Sequence, residues 1–444
     1  MKYLKTFETH EEYDLYINGE NAYLPNVSLT LDDNTIHFLD YIPIQTDPYK
    51  YLTIEALEDD FIVWIEKPVE DSGGLMSLRQ TNNISDGELL YCIDNDNVWY
   101  NYEFGTDTPT INKGQTISFK GLLNTTVDLQ GVCIFHTNDK KFNLKGNCLS
   151  IIFGDDCDKN FDLTNYDGCF RSLFFGSLVV DISKTFLPAT TLAIGCYYSM
   201  FSNCIYLTTA PDLPATTLAD YCYNYMFNGC EYLTTAPDLP ATMLADSCYY
   251  GMFDGCTSLI TAPSILPATT LAYSCYRDMF IRCTSLTTAP ELPATALAEE
   301  CYSHMFNYCE SLITAPELSA TTLADGCYDN MFSRCTSLTT APELPATTLA
   351  YSCYYYMFSG CKSLTTAPEL PATTLADECY YGMFNGCSKL NYIKAMFTTI
   401  KNDTSLYGWV GGVASTGTFV KNKNATWNVI GDNGIPSGWT VQTA

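Results

Sequence analysis

One phrase decides the fold of this chain: Leu213-Pro-Ala-Thr-Thr-Leu-Ala-Asp-Tyr-Cys222-Tyr-Asn-Tyr-Met-Phe-Asn-Gly-Cys230-Glu-Tyr-Leu-Thr-Thr-Ala-Pro-Asp238. It recurs in the general form L-P-A-T-T-L-A-x-x-C-Y-x-x-M-F-x-x-C-x-x-L-T-T-A-P-x. The copies begin at Leu187, Leu213, Leu239, Leu266, Leu292, Leu318, Leu344 and Leu370, and the spacing is 26 residues except after Leu239, where it is 27. Self-similarity at such a period is typical of proteins built from stacked units.

Each copy carries its apolar residues at fixed positions. In the copy quoted above they include the two cysteines, Met226, Phe227 and Leu233. A unit of 26 residues cannot bury such a set alone, so neighbouring units have to cover one another. The extended Thr-Thr-Ala segment can pair with its equivalents at roughly 4.8 Å per step, and the proline after it ends the pairing. The sequence therefore predicts a solenoid of eight coils over residues 187–393, in which the tyrosine after each first cysteine belongs to the frame.

The composition excludes several classes of protein. The chain has 444 residues, a formal net charge of -28 and a pI near 4.2, so it repels nucleic acid and anionic membrane surfaces. It contains no stretch of 18 apolar residues, and it opens without the apolar segment of a secretory signal. We therefore expect a multidomain protein that is made in a cytosol, binds no nucleic acid and does not insert into a membrane.

The 21 cysteines raise the question of disulfides, metal binding and catalysis. Sixteen of them occupy two fixed positions of the repeat, eight residues apart, which differs from the C-x2-C spacing of zinc sites. We interpret them as packed thiols of the core, with disulfides in an oxidising medium as the alternative. Sequence patterns of catalytic nucleophiles and metalloenzymes do not occur, and the four histidines are far apart in the chain. We therefore expect no enzymatic activity.

The residues before the repeats divide into three segments. Residues 1–48 are too few for a core and are interpreted as a docking arm. Its candidate attachment residues are Phe7, Tyr13, Tyr16, Leu24 and Pro25. Short alternating runs separated by turn residues predict a small Ig-like β-sandwich over residues 49–146. Residues 147–186 are predicted to form a joint and an N-terminal cap, in which Cys169 opens a degraded copy with Ser177 in place of the second cysteine.

After the repeats, residues 394–444 are predicted to form a C-terminal β cap. Alternating residues with glycine breaks predict short strands, and Trp409, Trp427 and Trp439 are candidates for the core of this cap. The fold class of the whole chain is therefore predicted to be mainly β with short helical turns.

The repeat frame resembles a known family. The order C-x-x-L-x-x-A-x-x-L-P-x-x-x-L, followed by C-Y-x-x-M-F-x-x-C, is similar to the BspA-like (Treponema-type) leucine-rich repeat, lengthened by three residues, and it covers about half of the chain. The order of segments, from the opening stretch 7–27 to the closing stretch 409–441, is similar to proteins of tailed phages that infect gut Bacteroides, including crAss-like phages. This resemblance implies a fibre or appendage subunit whose N-terminal arm is bound to the particle.

Two positions vary from copy to copy while the frame stays the same, and they lie between the Cys-Tyr and Met-Phe pairs. Tyrosine beside small polar residues is a composition typical of binding faces. The candidate ligand-binding residues are Tyr198, Tyr225, Tyr250, His304, Tyr355, Tyr356 and Tyr381. Neutral variation at exposed positions is the alternative interpretation.

Acidic residues form two further groups. Between the proline and the leucine of most copies an acid recurs, which predicts a column of carboxylates facing water: Asp212, Asp238, Glu291, Glu317, Glu343 and Glu369. A second cluster precedes the repeats and is a candidate calcium site: Asp155, Asp156, Asp158 and Asp162. Its spacing departs from the EF-hand loop, and a solvated turn is the alternative.

These observations predict a phage virion appendage protein, a tail or head fibre. Its arm would bind other virion proteins, and its repeats would recognise a glycan or protein on the host surface. The alternatives are a purely structural or decoration protein of the virion and a bacterial surface adhesin. We expect the protein in the virion, or on a bacterial cell surface in the last case. The sequence leaves a homo-oligomer as an open alternative, since neither a heptad repeat nor a trimerising motif occurs.

Overall fold

The architecture comes from a computed structural model, which describes residues 49–65, 89–121, 134–400 and 404–444 together with the backbone of four short strands within residues 1–48. The described part is mainly β and contains one short α-helix, which confirms the predicted fold class at this level. The chain divides into two compact units, Met1–Pro48 and Tyr49–Ala444.

The first unit contains two antiparallel strand pairs. β1 (Leu15–Ile17) pairs with β2 (Glu20–Ala22), and β3 (Leu29–Asp32) pairs with β4 (Thr35–Phe38). Of the predicted attachment residues, Tyr16 lies on β1, and the others lie outside the described residues: Phe7, Tyr13, Leu24 and Pro25. Attachment through this unit therefore stays a prediction.

The second unit begins with two sheets. Their strands are β5 (Leu52–Ala56), β6 (Val63–Ile65), β7 (Leu89–Ile93), β8 (Tyr100–Asn101), β9 (Thr116–Gly121), β10 (Phe135–Thr137), β11 (Phe142–Asn147) and β12 (Val179–Phe186). Six strands form one sheet in the order β12-β11-β5-β9-β7-β8, and β6 pairs with β10. The rings of Phe119 on β9 and Phe135 on β10 lie 5.1 Å apart between centroids, so the two sheets share a core.

The larger sheet extends across the predicted boundary between residues 146 and 147. After β11 the chain forms α1 (Ser150–Phe153) and returns as β12, which lies parallel to β11. Val179 and Ile182 of β12 are buried, and the carbonyl of Val180 accepts the amide of Thr208 from the first repeat copy at 3.0 Å. The predicted joint therefore contributes the edge strand of the sheet, and a hydrogen bond connects this strand to the first repeat copy.

Two kinds of backbone hydrogen bond alternate along the segment around the two cysteines of each copy. The amide of Tyr197 donates to the carbonyl of Cys222 in the next copy at 2.9 Å. Three residues later, the amide of Met200 donates back to Tyr197 at 3.2 Å and closes a turn within its own copy. Every fourth residue has a positive φ, as at Gly195, Ser199 and Asn203. Equivalent positions of neighbouring copies consequently lie directly beside each other.

The Thr-Thr-Ala segments pair through isolated parallel bridges. Thr261, for example, bridges to Thr235 in the copy before it and to Thr288 in the copy after it. This is the pairing that the sequence predicts, although each bridge involves a single residue rather than a strand. The following proline has no N–H to donate and so limits the ladder. The more extensive contact between copies is the turn segment around the cysteines, which the sequence analysis did not predict.

Two columns of stacked rings run through the repeats, one of phenylalanines and one of tyrosines. Phe280 lies between Phe253 and Phe306, at 5.5 and 5.7 Å between centroids. Tyr276 and Tyr302 of the other column lie 5.8 Å apart. The tyrosine after the first cysteine is at most 2% exposed in all eight copies, which confirms that it belongs to the frame.

The cysteines are part of the same core. All 20 cysteines of the described part are free thiols, and all but Cys169 are buried. The second cysteine of a copy donates to a phenylalanine carbonyl of the copy before it, as from Cys256 Sγ to Phe227 at 3.1 Å. Burial raises the pKa of Cys301 to about 12, so this thiol stays protonated at neutral pH. The interpretation as packed thiols is confirmed.

The first end of the repeats is covered by the degraded copy. Phe170 stacks on Tyr197 at 5.3 Å between ring centroids, so it stands where later copies have tyrosine. Ser177 takes the place of the second cysteine, and its Oγ lies 3.4 Å from Sγ of Cys204. The residues that the sequence analysis aligned with the repeat therefore lie in register with it.

At the other end, coil-to-coil hydrogen bonding continues beyond the last cysteine. The amide of Phe384 donates to the carbonyl of Trp409 at 2.8 Å, as it does between repeat copies. Three parallel strands follow the same path: β13 (Tyr392–Ala395), β14 (Thr418–Lys421) and β15 (Thr440–Thr443). The candidates for the core of this end are buried, as predicted: Trp409, Trp427 and Trp439. The hydrogen-bond pattern between copies thus extends beyond the last copy of the sequence repeat.

Candidate binding face

The two variable positions of each copy lie side by side with those of the next copy and form a row that we call the variable strip. Its pairs are Tyr198-Ser199, Asn224-Tyr225, Tyr250-Gly251, Arg277-Asp278, Ser303-His304, Asp329-Asn330, Tyr355-Tyr356 and Tyr381-Gly382. All seven candidate ligand-binding residues of the sequence analysis lie on this strip, and each is partly exposed. The structure gathers the six tyrosines among them into two clusters, and His304 lies in the charged segment between the clusters.

The first cluster consists of Tyr198, Tyr225 and Tyr250. The Tyr225 ring meets the rings of Tyr198 and Tyr250 edge-on, at 6.5 and 5.2 Å between centroids. The guanidinium of Arg171, from the degraded copy, lies 4.7 Å from the Tyr198 ring and extends the cluster by one coil. Edge-on rings with a cation beside them form a rigid surface that is apolar on its faces and polar at its hydroxyls.

The second cluster consists of Tyr355, Tyr356, Tyr381 and Tyr407. Tyr355 stacks on Tyr381 at 4.8 Å, and Tyr381 stacks on Tyr407 at 5.0 Å. Burial and the neighbouring phenols raise the pKa of Tyr355 to about 12, so its hydroxyl is a hydrogen-bond donor at any physiological pH. Tyr407 lies beyond the last sequence copy, and the sequence analysis missed it. The Tyr-Gly pair at 407–408, which matches Tyr381-Gly382, is the signal that could have found it.

Glycine on the strip makes room for tyrosine on the copy before it. The Tyr356 ring lies against Gly382, where an added Cβ would be 2.2 Å from Cε1 of the ring. Tyr225 lies against Gly251 in the same way, with a distance of 2.3 Å. Both tyrosines have a positive φ, at 48° and 53°. This left-handed conformation costs a non-glycine residue roughly 1 kcal/mol, and the ring packing offsets that cost.

The middle of the strip is charged. Arg277 forms an ion pair with Glu300 of the next copy, and its Nε lies 3.8 Å from Asp278. His304 Nδ1 lies 3.9 Å from Asp278 and 2.8 Å from the hydroxyl of Ser303. Because serine and aspartate face the same ring nitrogen, the three do not form the relay of a nucleophilic triad, in which they occupy opposite nitrogens.

A cavity of about 240 Å³ opens beside the strip where four coils meet. Its wall contains five carboxylates, namely Glu299, Glu300, Asp325, Asp329 and Glu378, and the side chains of Tyr351, Ser352 and Tyr355. Gly326 lies in the column that holds Glu300 and Ser352 in the neighbouring copies, and its missing side chain leaves the space. Burial raises the pKa of Asp329 above its usual value, as expected for a carboxylate held away from water. The sequence analysis did not predict this cavity.

The two acidic groups have different surroundings. The predicted column of carboxylates is exposed at all six positions, which confirms that it faces water: Asp212, Asp238, Glu291, Glu317, Glu343 and Glu369. The candidate calcium residues instead have separate partners. Asp155 accepts the hydroxyl of Tyr51 at 2.6 Å and the ammonium of Lys120 at 3.0 Å.

The other three candidate calcium residues each contact a different partner. Asp156 contacts Lys159 at 2.7 Å, Asp158 contacts Lys50 at 3.6 Å, and Asp162 accepts the amide of Thr164 at 2.8 Å. Across the described ranges no three acidic, imidazole or thiol side chains are gathered as a metal site. Calcium binding stays a prediction, and these contacts do not favour it.

Comparison with protein-family models, with curated proteins and with solved structures found no match to this chain. In the part of the chain that the structure describes, the helical segments are too short to cross a bilayer.

Proposed function

We propose that this chain is a non-enzymatic binding protein, an appendage of a tailed phage, that recognises a bacterial host surface through the variable strip. The single observation that carries the proposal is the gathering of the varying tyrosines into two clusters on one face. They stand on a frame whose interior repeats from copy to copy. Rigid aromatic side chains held on a stiff support bind with little loss of conformational entropy.

The repeats are proposed to form a leucine-rich-repeat solenoid that resembles the BspA-like type. Alternate backbone amides bond from each copy to the next, and ring columns run through the copies, which is the nearest-neighbour construction expected of a solenoid. Under this proposal the N-terminal unit attaches the chain to the particle. A bacterial surface adhesin would use the same strip, and detection of the chain in purified particles separates the two assignments.

A spacer that only provides length is the second candidate. The exposed carboxylate column supports it, because a regular row of like charges on the stack repels lateral association without binding anything. It does not account for the two tyrosine clusters, whose rings are partly exposed and pack on one another.

The test is binding of the full chain to outer-membrane extract and capsular polysaccharide from Bacteroides cells. Tyr355→Ala combined with Tyr381→Ala removes a stacked pair of the second cluster, and we expect at least about tenfold weaker binding because exposed tyrosines dominate such interfaces. The matched control is Tyr206→Ala with Tyr232→Ala, a stacked pair at 6.0 Å that lies off the strip. Equal binding by both variants and the parent would overturn recognition through the strip and favour the spacer.

A further inference from the structure

Two groups of side chains, three copies apart, are built in the same way around a glutamate. In the first, Glu300 accepts the hydroxyl of Tyr273 at 3.3 Å and that of Ser274 at 3.1 Å. In the second, Glu378 accepts the hydroxyl of Tyr351 at 3.0 Å and that of Ser352 at 3.2 Å. The sequence spacing from tyrosine and serine to glutamate is identical in both. We call them the first and second clasp.

The clasps differ at one position. In the first, the guanidinium of Arg277 from the chain itself donates to Glu300. The equivalent residue of the second clasp is Tyr355, which carries no charge. The glutamate of the second clasp therefore faces the cavity described above with two hydroxyl donors and without the guanidinium that its counterpart binds. The first clasp shows in this molecule which group such a glutamate accepts.

The surroundings of the second clasp suit a guanidinium better than the other candidates. Glu299, Asp325 and Asp329 add three carboxylates to the wall, and Tyr351 and Tyr355 supply aromatic rings. A guanidinium is planar, stays charged at every relevant pH, donates in a fork and stacks on aromatic rings, whereas an ammonium is a strongly hydrated point charge. At about 240 Å³ the cavity is smaller than the roughly 300–1,000 Å³ of pockets for drug-sized ligands, so it fits one side chain rather than a sugar chain.

We propose that the cavity between the coils of Glu300 and Glu378 receives an arginine side chain of a partner protein. The proposal deepens the proposed function and rests on it, because it makes the partner a protein with an exposed arginine. The guanidinium would lie beside Glu378 as Arg277 lies beside Glu300, and it would face Tyr355.

The experiment titrates the full chain with three acetylated and amidated peptides, Gly-Arg-Gly, Gly-Lys-Gly and Gly-citrulline-Gly, and follows the chemical shifts of the peptides. We expect the arginine peptide to bind at least about tenfold more tightly than the citrulline peptide, because citrulline keeps the shape and loses the charge. We also expect binding to weaken as salt is added. Equal binding of the citrulline peptide overturns the charge argument, and equal binding of the lysine peptide overturns the assignment to a guanidinium.

Two variants test the place of binding. Tyr355→Arg supplies an internal guanidinium to Glu378, and Gly326→Tyr fills the space with a residue that Tyr221 already provides in the same column with a positive φ. Each variant should bind the arginine peptide at least about tenfold more weakly than the parent does. Tyr232→Arg, with the same change of charge at an exposed tyrosine that lies off the variable strip and outside the wall of the cavity, is the control and should bind like the parent. Unchanged binding in Tyr355→Arg overturns the proposal, even if Gly326→Tyr fails to fold.

The outcomes for the cavity and for the proposed function can be told apart. A chain that binds the arginine peptide but no host-surface extract supports the cavity and overturns the proposed function. The reverse pattern overturns the cavity and leaves recognition by the strip supported.

Discussion

The tyrosine after the first cysteine and the two residues that follow it are neighbours in the chain, yet they behave in opposite ways. The first is the same in all eight copies and fully buried, as at Tyr276, whereas the next two vary among the copies and are mostly partly exposed, as at Arg277. Both positions lie beside their equivalents in the next copy. The difference teaches that contact between copies alone does not restrict a side chain. A position is restricted where its side chain points into the core, and it varies where its side chain lies at the surface, even when that side chain contacts the next copy, as Arg277 contacts Glu300.

The strongest test of this contrast removes one interior ring and one ring of the strip. Phe280→Ala should cost about 3–5 kcal/mol of unfolding free energy, because the cavity left between Phe253 and Phe306 cannot close in a stack held on both sides. Tyr250→Ala should cost about 1 kcal/mol or less, since that ring is half-exposed. Denaturant unfolding of the full chain measures both. Equal losses would show that the strip belongs to the core.

A finer test compares two glycines with the same φ of +59° on different columns of the repeats. Alanine at Gly382 would lie 2.2 Å from the Tyr356 ring, whereas alanine at Gly326 would come no closer than 3.5 Å to Glu300. Both substitutions place alanine in the left-handed conformation, at the same cost. Gly382→Ala must also displace the Tyr356 ring, so it should lower the unfolding free energy by about 1 kcal/mol more than Gly326→Ala does. Thermal unfolding measures the difference. In a Tyr356→Ser background the two should become equal, and a persisting gap would contradict this account.

The smallest effect lies outside the repeats, on a charged contact of the sheet region. The hydroxyl of Tyr51 and the ammonium of Lys120 donate to Asp155 and hold the pKa of that carboxyl below its usual range. A lowered pKa adds stability at pH values above the unfolded pKa of about 3.9, and this stability is lost as the pH falls through the folded pKa. Because Asp155 is largely exposed, the contribution should be only a few tenths of a kcal/mol.

Unfolding of the Asp155→Asn variant and of the parent at pH 7 and pH 3 checks this expectation. The two proteins should differ at pH 7, and the difference should shrink as the pH falls below the unfolded pKa of about 3.9. Asp156→Asn makes the same change of charge at a residue that contacts only Lys159 among the ion pairs, and it is the control. A difference in stability that grows as the pH falls would contradict the expected sign.

The interior was predictable from the sequence and the cavity was not, for a physical reason. Frame positions repeat about every 26 residues, so the recurrence identifies Tyr276, Cys256 and their equivalents as core residues. The cavity depends on differences between copies, namely Gly326 where neighbours have Glu300 and Ser352. The effect of such a difference can be recognised only when the positions of the neighbouring side chains in space are known. Tyr407 was missed for a related reason, because its segment lacks both cysteines of the repeat.

The alternation of amides that bond within a copy and to the next one has a consequence for how such a chain can change over time. Any copy presents the same edge to its neighbours, so one more copy can be inserted, or one deleted, without redesigning either end. Each insertion moves the second tyrosine cluster away from the first by one step, which the stacked rings of neighbouring copies give as 5.5 to 5.9 Å. The distance between the two tyrosine clusters, which we propose as recognition points, is thereby set in whole steps, while two residues in each copy set the chemistry of the strip.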